Sequence, residues 1–226
     1  MRLSDEFRES LATAARRYEL AMASDSQAQS YTLGRGIPAT TRGAYRLGVV
    51  DGSIPEHASY RGWISIPYIT KLGGVVSLKF RRLDGGEPKY ISPYLTRIYN
   101  ALAFDKAEEL GYIAITEGEF DAIILDGLCG IPAVAIPGVE TWKAHPEWPE
   151  LFRGFSRVLV FKDQDEDREQ ADGKVRNPGR ELAEQITRAL DTAHVIDLPA
   201  KDVNEAYLAH GAAKIREVAG VSVLPG

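Results

Sequence analysis

The sequence predicts an α/β protein: a parallel sheet flanked by helices, preceded by a smaller α+β N-terminal subdomain. From residue 106 onward, short and fully apolar segments alternate with helical ones. That is the pattern of strands buried on both faces of a parallel sheet. Before that point, two β-rich runs are separated by a Gly73-Gly74 turn, which suits antiparallel pairing. The charge divides in the same way. Residues 31–100 hold ten Lys/Arg against four Asp/Glu, a local balance of +6, while residues 101–226 hold thirteen against twenty-three, a balance of −10. A basic part suits a polyanion and an acidic part suits divalent cations. The expected division is 1–105 and 106–226.

The elements follow in order. Residues 4–24 form a helix, with Phe7, Leu11, Ala14, Ala15, Tyr18 and Met22 at helical spacing. Ser24, Asp25, Ser26 and Gln27 interrupt it. Pro38 suits the first turn of a short helix, and Gly48 its C-terminal cap. GWISIPYI (62–69) and VVSLKFRRL (75–83) are strands. In the second half, 112–116 (YIAIT), 133–136 (AVAI), 158–161 (VLVF) and 194–198 are strands. Residues 119–128 and 177–190 are helices, the latter opened by Pro178, and two short helices follow near 202–209 and 212–219. Residues 166–172 form a polar, solvated loop.

No stretch approaches the roughly 18 apolar residues of a membrane span, and the acids of MRLSDEFRES do not suit a secretory leader; the expectation is a soluble, cytoplasmic protein with no membrane partner. The single cysteine, Cys129, lies in an apolar segment and is expected to be a buried, unreactive thiol. It excludes an intrachain disulfide or a cysteine-rich zinc site built by this sequence alone.

In parallel sheets chemistry sits just past the carboxyl ends of the strands. Each of three such places carries acids: Glu117 with Asp121 one helical turn on, Asp163 with Asp165, and Asp202. Residues two apart in extended chain point the same way, so Asp163 and Asp165 can face one pocket. Carboxylates this close repel unless a cation sits among them. Mg2+, or Mn2+, is the natural partner, because it takes oxygen ligands from a few carboxylates and from substrate phosphates. Glu117 is then a metal ligand or a general base. Taken singly, Asp121 suits a first helical turn and Asp202 an N-cap.

ITEGEFDAIIL resembles the first motif of the Toprim family, in which E-G-x-x-D-A follows a strand. VLVFKDQDE, with NPGRELAEQI after it, resembles the second. Three further stretches, YTLGRGIPATTRGAYRLGVV, FRRLDGGEPKYISP and LPAKDVNEAYLAHG, resemble bacterial and phage-type DNA primases in order and spacing over residues 30–210. The resemblance implies the Toprim-containing RNA polymerase domain of a primase, without its zinc ribbon and helicase, a nucleotidyltransferase that makes short RNA primers during replication. It implies that Glu117, Asp121, Asp163 and Asp165 are catalytic, with metal on Glu117, Asp163, Asp165 and Asp202. Arg35, Arg81, Lys89 and Tyr90 are the implied nucleic-acid and nucleotide groove, where Arg and Lys meet phosphates and Tyr90 stacks on a base. The implied partners are a single-stranded DNA template, nucleoside triphosphates, a replicative helicase and a separate zinc-ribbon protein. A Toprim nuclease and a non-catalytic single-stranded DNA adaptor are the alternatives. Two departures stand out: Lys162 directly precedes Asp163, and the segment between Asp165 and Pro178 is long.

Overall fold

The computed structural model describes residues 3–164, 168–169 and 175–222. Asp165 lies outside them. The chain divides into two compact units, residues 1–97 and 98–226. The boundary falls eight residues before the expected one because Tyr99 already belongs to the second unit, exchanging backbone hydrogen bonds with Ala135.

The first unit opens with α1 (Asp5–Met22), α2 (Ser26–Gly34) and α3 (Ala39–Ala44), followed by β1 (Gly48–Val49), β2 (Ile64–Ile69), β3 (Val75–Arg81) and β4 (Tyr90–Ile91). The strands form an antiparallel sheet in the order β1-β2-β3-β4. Leu11, Ala14, Ala15 and Tyr18 of α1 pack with Val75, Leu78 and Phe80 of β3 in one core. The Ser24–Gln27 interruption is real but short. Asp25 caps a new helix by accepting from Ala28 N–H at 2.9 Å, so α2 runs where the sequence showed only a break. Gly48 was expected as a helix cap; instead it is strand. A Cβ there would lie 2.4 Å from the backbone carbonyl carbon of Tyr18, so glycine lets α1 lie directly on β1.

The second unit continues with α4 (Ala103–Leu110), β5 (Tyr112–Thr116), α5 (Glu119–Gly127), β6 (Ala133–Ala135), α6 (Val139–Ala144), β7 (Arg157–Phe161), β8 (Arg168–Glu169), β9 (Val175–Arg176), α7 (Pro178–Ala189), β10 (Ala193–Ile196) and α8 (Val203–Ala219). Strands β10-β7-β5-β6 form a wholly parallel sheet. Strands β5, β6 and β7 are almost entirely buried, as their unbroken apolar runs predict, while β10 at the sheet edge leaves His194 and Val195 exposed. One large core joins Ile113, Ile115, Val134, Val158 and Val160 to Trp142, Trp148 and Phe152 and to Leu182, Ala183 and Ile186 of α7. Most of residues 166–172, read as loop, lies outside the described residues; Arg168 and Glu169 form β8 and pair with β9. The two expected C-terminal helices are both present within α8, divided at Gly211, whose φ of 74° is not helical. Among the described residues no helix is long and apolar enough to cross a membrane. Cys129 is buried, and burial pushes its thiol up to about 12, so it stays protonated and unreactive.

Candidate active site

The register of the parallel sheet sets Thr116 level with Ala135 and Ile196 level with Phe161. The strands therefore end together, and their following turns gather at one edge. Glu117 leaves β5 there, and Lys162 and Asp163 leave β7. Thr116 Oγ1 donates to the Gly118 carbonyl at 2.9 Å, closing the turn after β5. A Cβ on Gly118 would come within 2.6 Å of Asp121 Oδ2, so a side chain there would displace that carboxylate.

The Glu117 carboxylate lies between two further glycines. Its Oε1 is 3.7 Å from where a Cβ on Gly138 would stand, in the turn after β6. Its Oε2 is 3.6 Å from where a Cβ on Gly179 would stand, in the first turn of α7. That same Gly179 position is 3.0 Å from the carbonyl oxygen of Asp163. Gly179 is thus the bare surface against which Glu117 and the Asp163 backbone converge. Asn177 caps α7 by accepting from Arg180 N–H at 3.0 Å, and the positive end of the helix dipole favours the anions gathered beside it. A small cavity opens there, with Thr116, Glu117, Lys162 and Gly179 at its polar end and Val160, Leu182 and Ile186 among its apolar walls.

The remaining acids take other positions. Asp121 is buried, and its Oδ1 accepts from the backbone N–H of Asn204 at 3.0 Å. Asp202 accepts from Glu205 N–H at 2.7 Å as the N-cap of α8. Both carboxylates satisfy the first turn of α8, whose leading N–H groups have no partner inside the helix. Among the described residues no three acidic, histidine or cysteine side chains form a metal-holding group; the expected set also draws on Asp165.

The basic residues of the first unit gather around tyrosines. Arg35 Nε and Arg81 Nε both donate to Tyr31 Oη, at 2.8 and 3.0 Å. Arg81 lies 4.6 Å from the centroid of the Tyr90 ring and Lys79 Nζ 4.7 Å from it, within cation–π range. The structure therefore joins Arg35, Arg81 and Tyr90, and adds Tyr31 and Lys79, which the sequence reading missed. A signal was present for Tyr31, one helical turn before Arg35. Lys89 is exposed, and its backbone carbonyl accepts from Arg82 N–H at 2.9 Å.

No family model matches the chain. The Gene 57 protein of Mycobacterium phage D29 is 37% identical over 159 residues, which cover 67% of this chain and 94% of that protein. This chain belongs to the phage Gene 57 protein family. The fold of this Gene 57 family member is that of the catalytic RNA polymerase domain of bacterial primases. The zinc-binding and RNA polymerase domains of the Aquifex aeolicus primase superpose with a TM-score of 0.73 at 18% identity over 97% of this chain. The family member spans 62% of that structure. The RNA polymerase domain of Mycobacterium tuberculosis primase DnaG, in complex with a double-stranded DNA oligomer with a 6-nucleotide overhang, superposes with a TM-score of 0.70 at 21% identity, over 97% of this chain and 81% of that one.

Proposed function

We propose that this protein is the catalytic core of a DNA primase that synthesises short RNA primers on single-stranded DNA during replication. The observation that carries the reading is the convergence of the Glu117 carboxylate and the Asp163 backbone on Gly179, in a fold shared with primase RNA polymerase domains. The reaction joins two nucleotides. The 3′-hydroxyl of one attacks the α-phosphate of the next, and pyrophosphate leaves.

The residues present suit a magnesium or manganese ion. Glu117 brings carboxylate oxygens, Gly179 leaves the space beside Glu117 Oε2 open, and the nearby helix terminus is an anion-favouring end. Glu117, Asp163 and Asp165 would hold it, and when bound it supplies charge stabilisation for the phosphates. Glu117 would serve either as such a metal ligand or as the base that takes the proton of the attacking hydroxyl. Lys162 offers its ammonium to the triphosphate. Asp121 and Asp202 support the site by fixing the start of α8. Arg35, Arg81, Lys79 and Lys89 bind phosphates, and Tyr90 stacks on a base. A replicative helicase and a separate zinc-ribbon protein are the proposed partners.

The test is primer synthesis on single-stranded DNA with all four nucleotides, in Mg2+ and then Mn2+, beside an Asp163→Ala/Asp165→Ala control. Short products that vanish in the control are expected. Products that persist in the control would assign the chemistry to other residues. Degradation of the strand without nucleotides would assign a nuclease.

A further inference from the structure

Tyr31 ties together two cations that the chain separates widely. It lies in α2, one turn before Arg35, while Arg81 ends β3, 50 residues away. One phenol oxygen carries two lone pairs, and here it accepts from both guanidinium Nε atoms, at 2.8 and 3.0 Å. Both guanidiniums also lie against the Tyr31 ring, at 5.2 and 5.8 Å from its centroid.

Arg81 has no carboxylate partner among the described residues. Its contacts are the Tyr31 hydroxyl and ring and the Tyr90 ring. Its Nε is committed to Tyr31, which leaves the Nη donors to meet another acceptor. Like charges held this close repel, and an anion between them would relieve the repulsion. A guanidinium fork matches a phosphate, which accepts paired N–H bonds. Lys79 on Tyr90 adds a third cation to the same surface. Simple packing of a tyrosine beside arginines explains the ring contacts. It does not explain why one hydroxyl carries both Nε bonds.

We infer that Tyr31 is a positioning residue whose hydroxyl holds Arg35 and Arg81 as a pair that grips one phosphate. The phosphate belongs to single-stranded DNA or to a nucleoside triphosphate. This rests on the reading of the basic cluster as a nucleic-acid and nucleotide groove. The hydroxyl fixes each fork in one orientation, so less side-chain freedom is lost when the phosphate arrives.

The test is Tyr31→Phe, which keeps the ring and removes only the hydroxyl. Binding of a labelled oligo(dT) strand and, separately, of a labelled ATP analogue is followed by fluorescence anisotropy across a salt series. The variant is expected to bind at least one ligand about tenfold more weakly, the loss of one hydrogen bond to a charged group. Its salt dependence should be shallower by about one phosphate contact, with an unchanged melting temperature. A loss confined to oligo(dT) assigns the DNA backbone; a loss confined to the analogue assigns the triphosphate. In an Arg81→Ala background the further change Tyr31→Phe should add almost nothing. Equal binding by Tyr31→Phe and the wild type, or full additivity with Arg81→Ala, overturns the inference while leaving the groove intact. A wild type that binds neither ligand overturns both. Weaker binding in Tyr31→Phe by a protein that makes no primers leaves this inference standing and removes the primase reading.

Discussion

Gly179→Ala is the sharpest probe of the proposed centre, because it adds one methyl group at a measured place. The new Cβ would stand 3.0 Å from the carbonyl oxygen of Asp163, 3.6 Å from its nitrogen and 3.6 Å from Glu117 Oε2. The first of these distances is too short, so the turn after β7 must retreat by a few tenths of an ångström. Overpacking of this kind costs about 1–3 kcal/mol. Replacing glycine by alanine in a helix returns up to ~1 kcal/mol, since Gly179 is the second residue of α7. The net loss is therefore between zero and about 3 kcal/mol, which lowers the melting temperature by no more than roughly 12 °C in a chain of this size. Catalysis should suffer more. A misplacement of about 1 Å costs on the order of a hundredfold in rate; a few tenths of an ångström scale to about a 4–10-fold loss. The assay is primer synthesis at saturating nucleotide and metal, beside thermal melting of the same preparation. A wild-type rate from a variant with an unchanged melting temperature would refute the placement of the chemistry between Glu117 and Asp163.

Three further outcomes are expected. Gly48→Ala drives a Cβ to 2.4 Å from the Tyr18 backbone; since backbone cannot swing aside, it should cost about 3 kcal/mol or more and lower the melting temperature by roughly 6–12 °C, measured by circular dichroism. Asp121→Asn keeps an acceptor for Asn204 N–H but removes the charge at the start of α8, so about 0.5–1 kcal/mol should be lost; Asp121→Ala, which leaves that buried N–H unpaired, should lose about 1–3 kcal/mol, and a reversed order in denaturant unfolding would contradict the bond. His57 is buried between the hydroxyls of Tyr18 and Tyr94, and burial pushes its pKa below the usual value. The unfolded chain then takes up a proton that the folded one refuses. Stability should be full above pH ~6.5 and decline as the pH falls below it; the slope between pH 7 and 5 should shrink in His57→Gln.

Much of this molecule was legible in its sequence. The apolar runs of β5 and β7 have no polar face to offer, so a doubly covered parallel sheet was their only outlet, whereas β10 at the sheet edge leaves His194 and Val195 exposed. Asn177 followed by Pro178 fixed the start of α7 through the cap and the proline's preset φ. Because chemistry in such a sheet collects at the carboxyl ends, Glu117 and Asp163 could be named from position alone. These features are written in residues a few places apart. The remainder depends on which surfaces meet. Gly48 has the local signature of a helix cap, yet α1 lying across β1 makes it a strand residue with no room for a side chain. Asp121 and Asn204 are 83 residues apart, so no local pattern could show that the carboxylate closes the start of α8. Gly138 and Gly179 matter for the space they leave around Glu117, which exists only once β6, β7 and α7 are packed. Tyr31 joins Arg35 to Arg81 for the same reason: spacing along the chain encodes periodicity and caps, while a hydrogen bond between distant elements is set by the packing that brings them together.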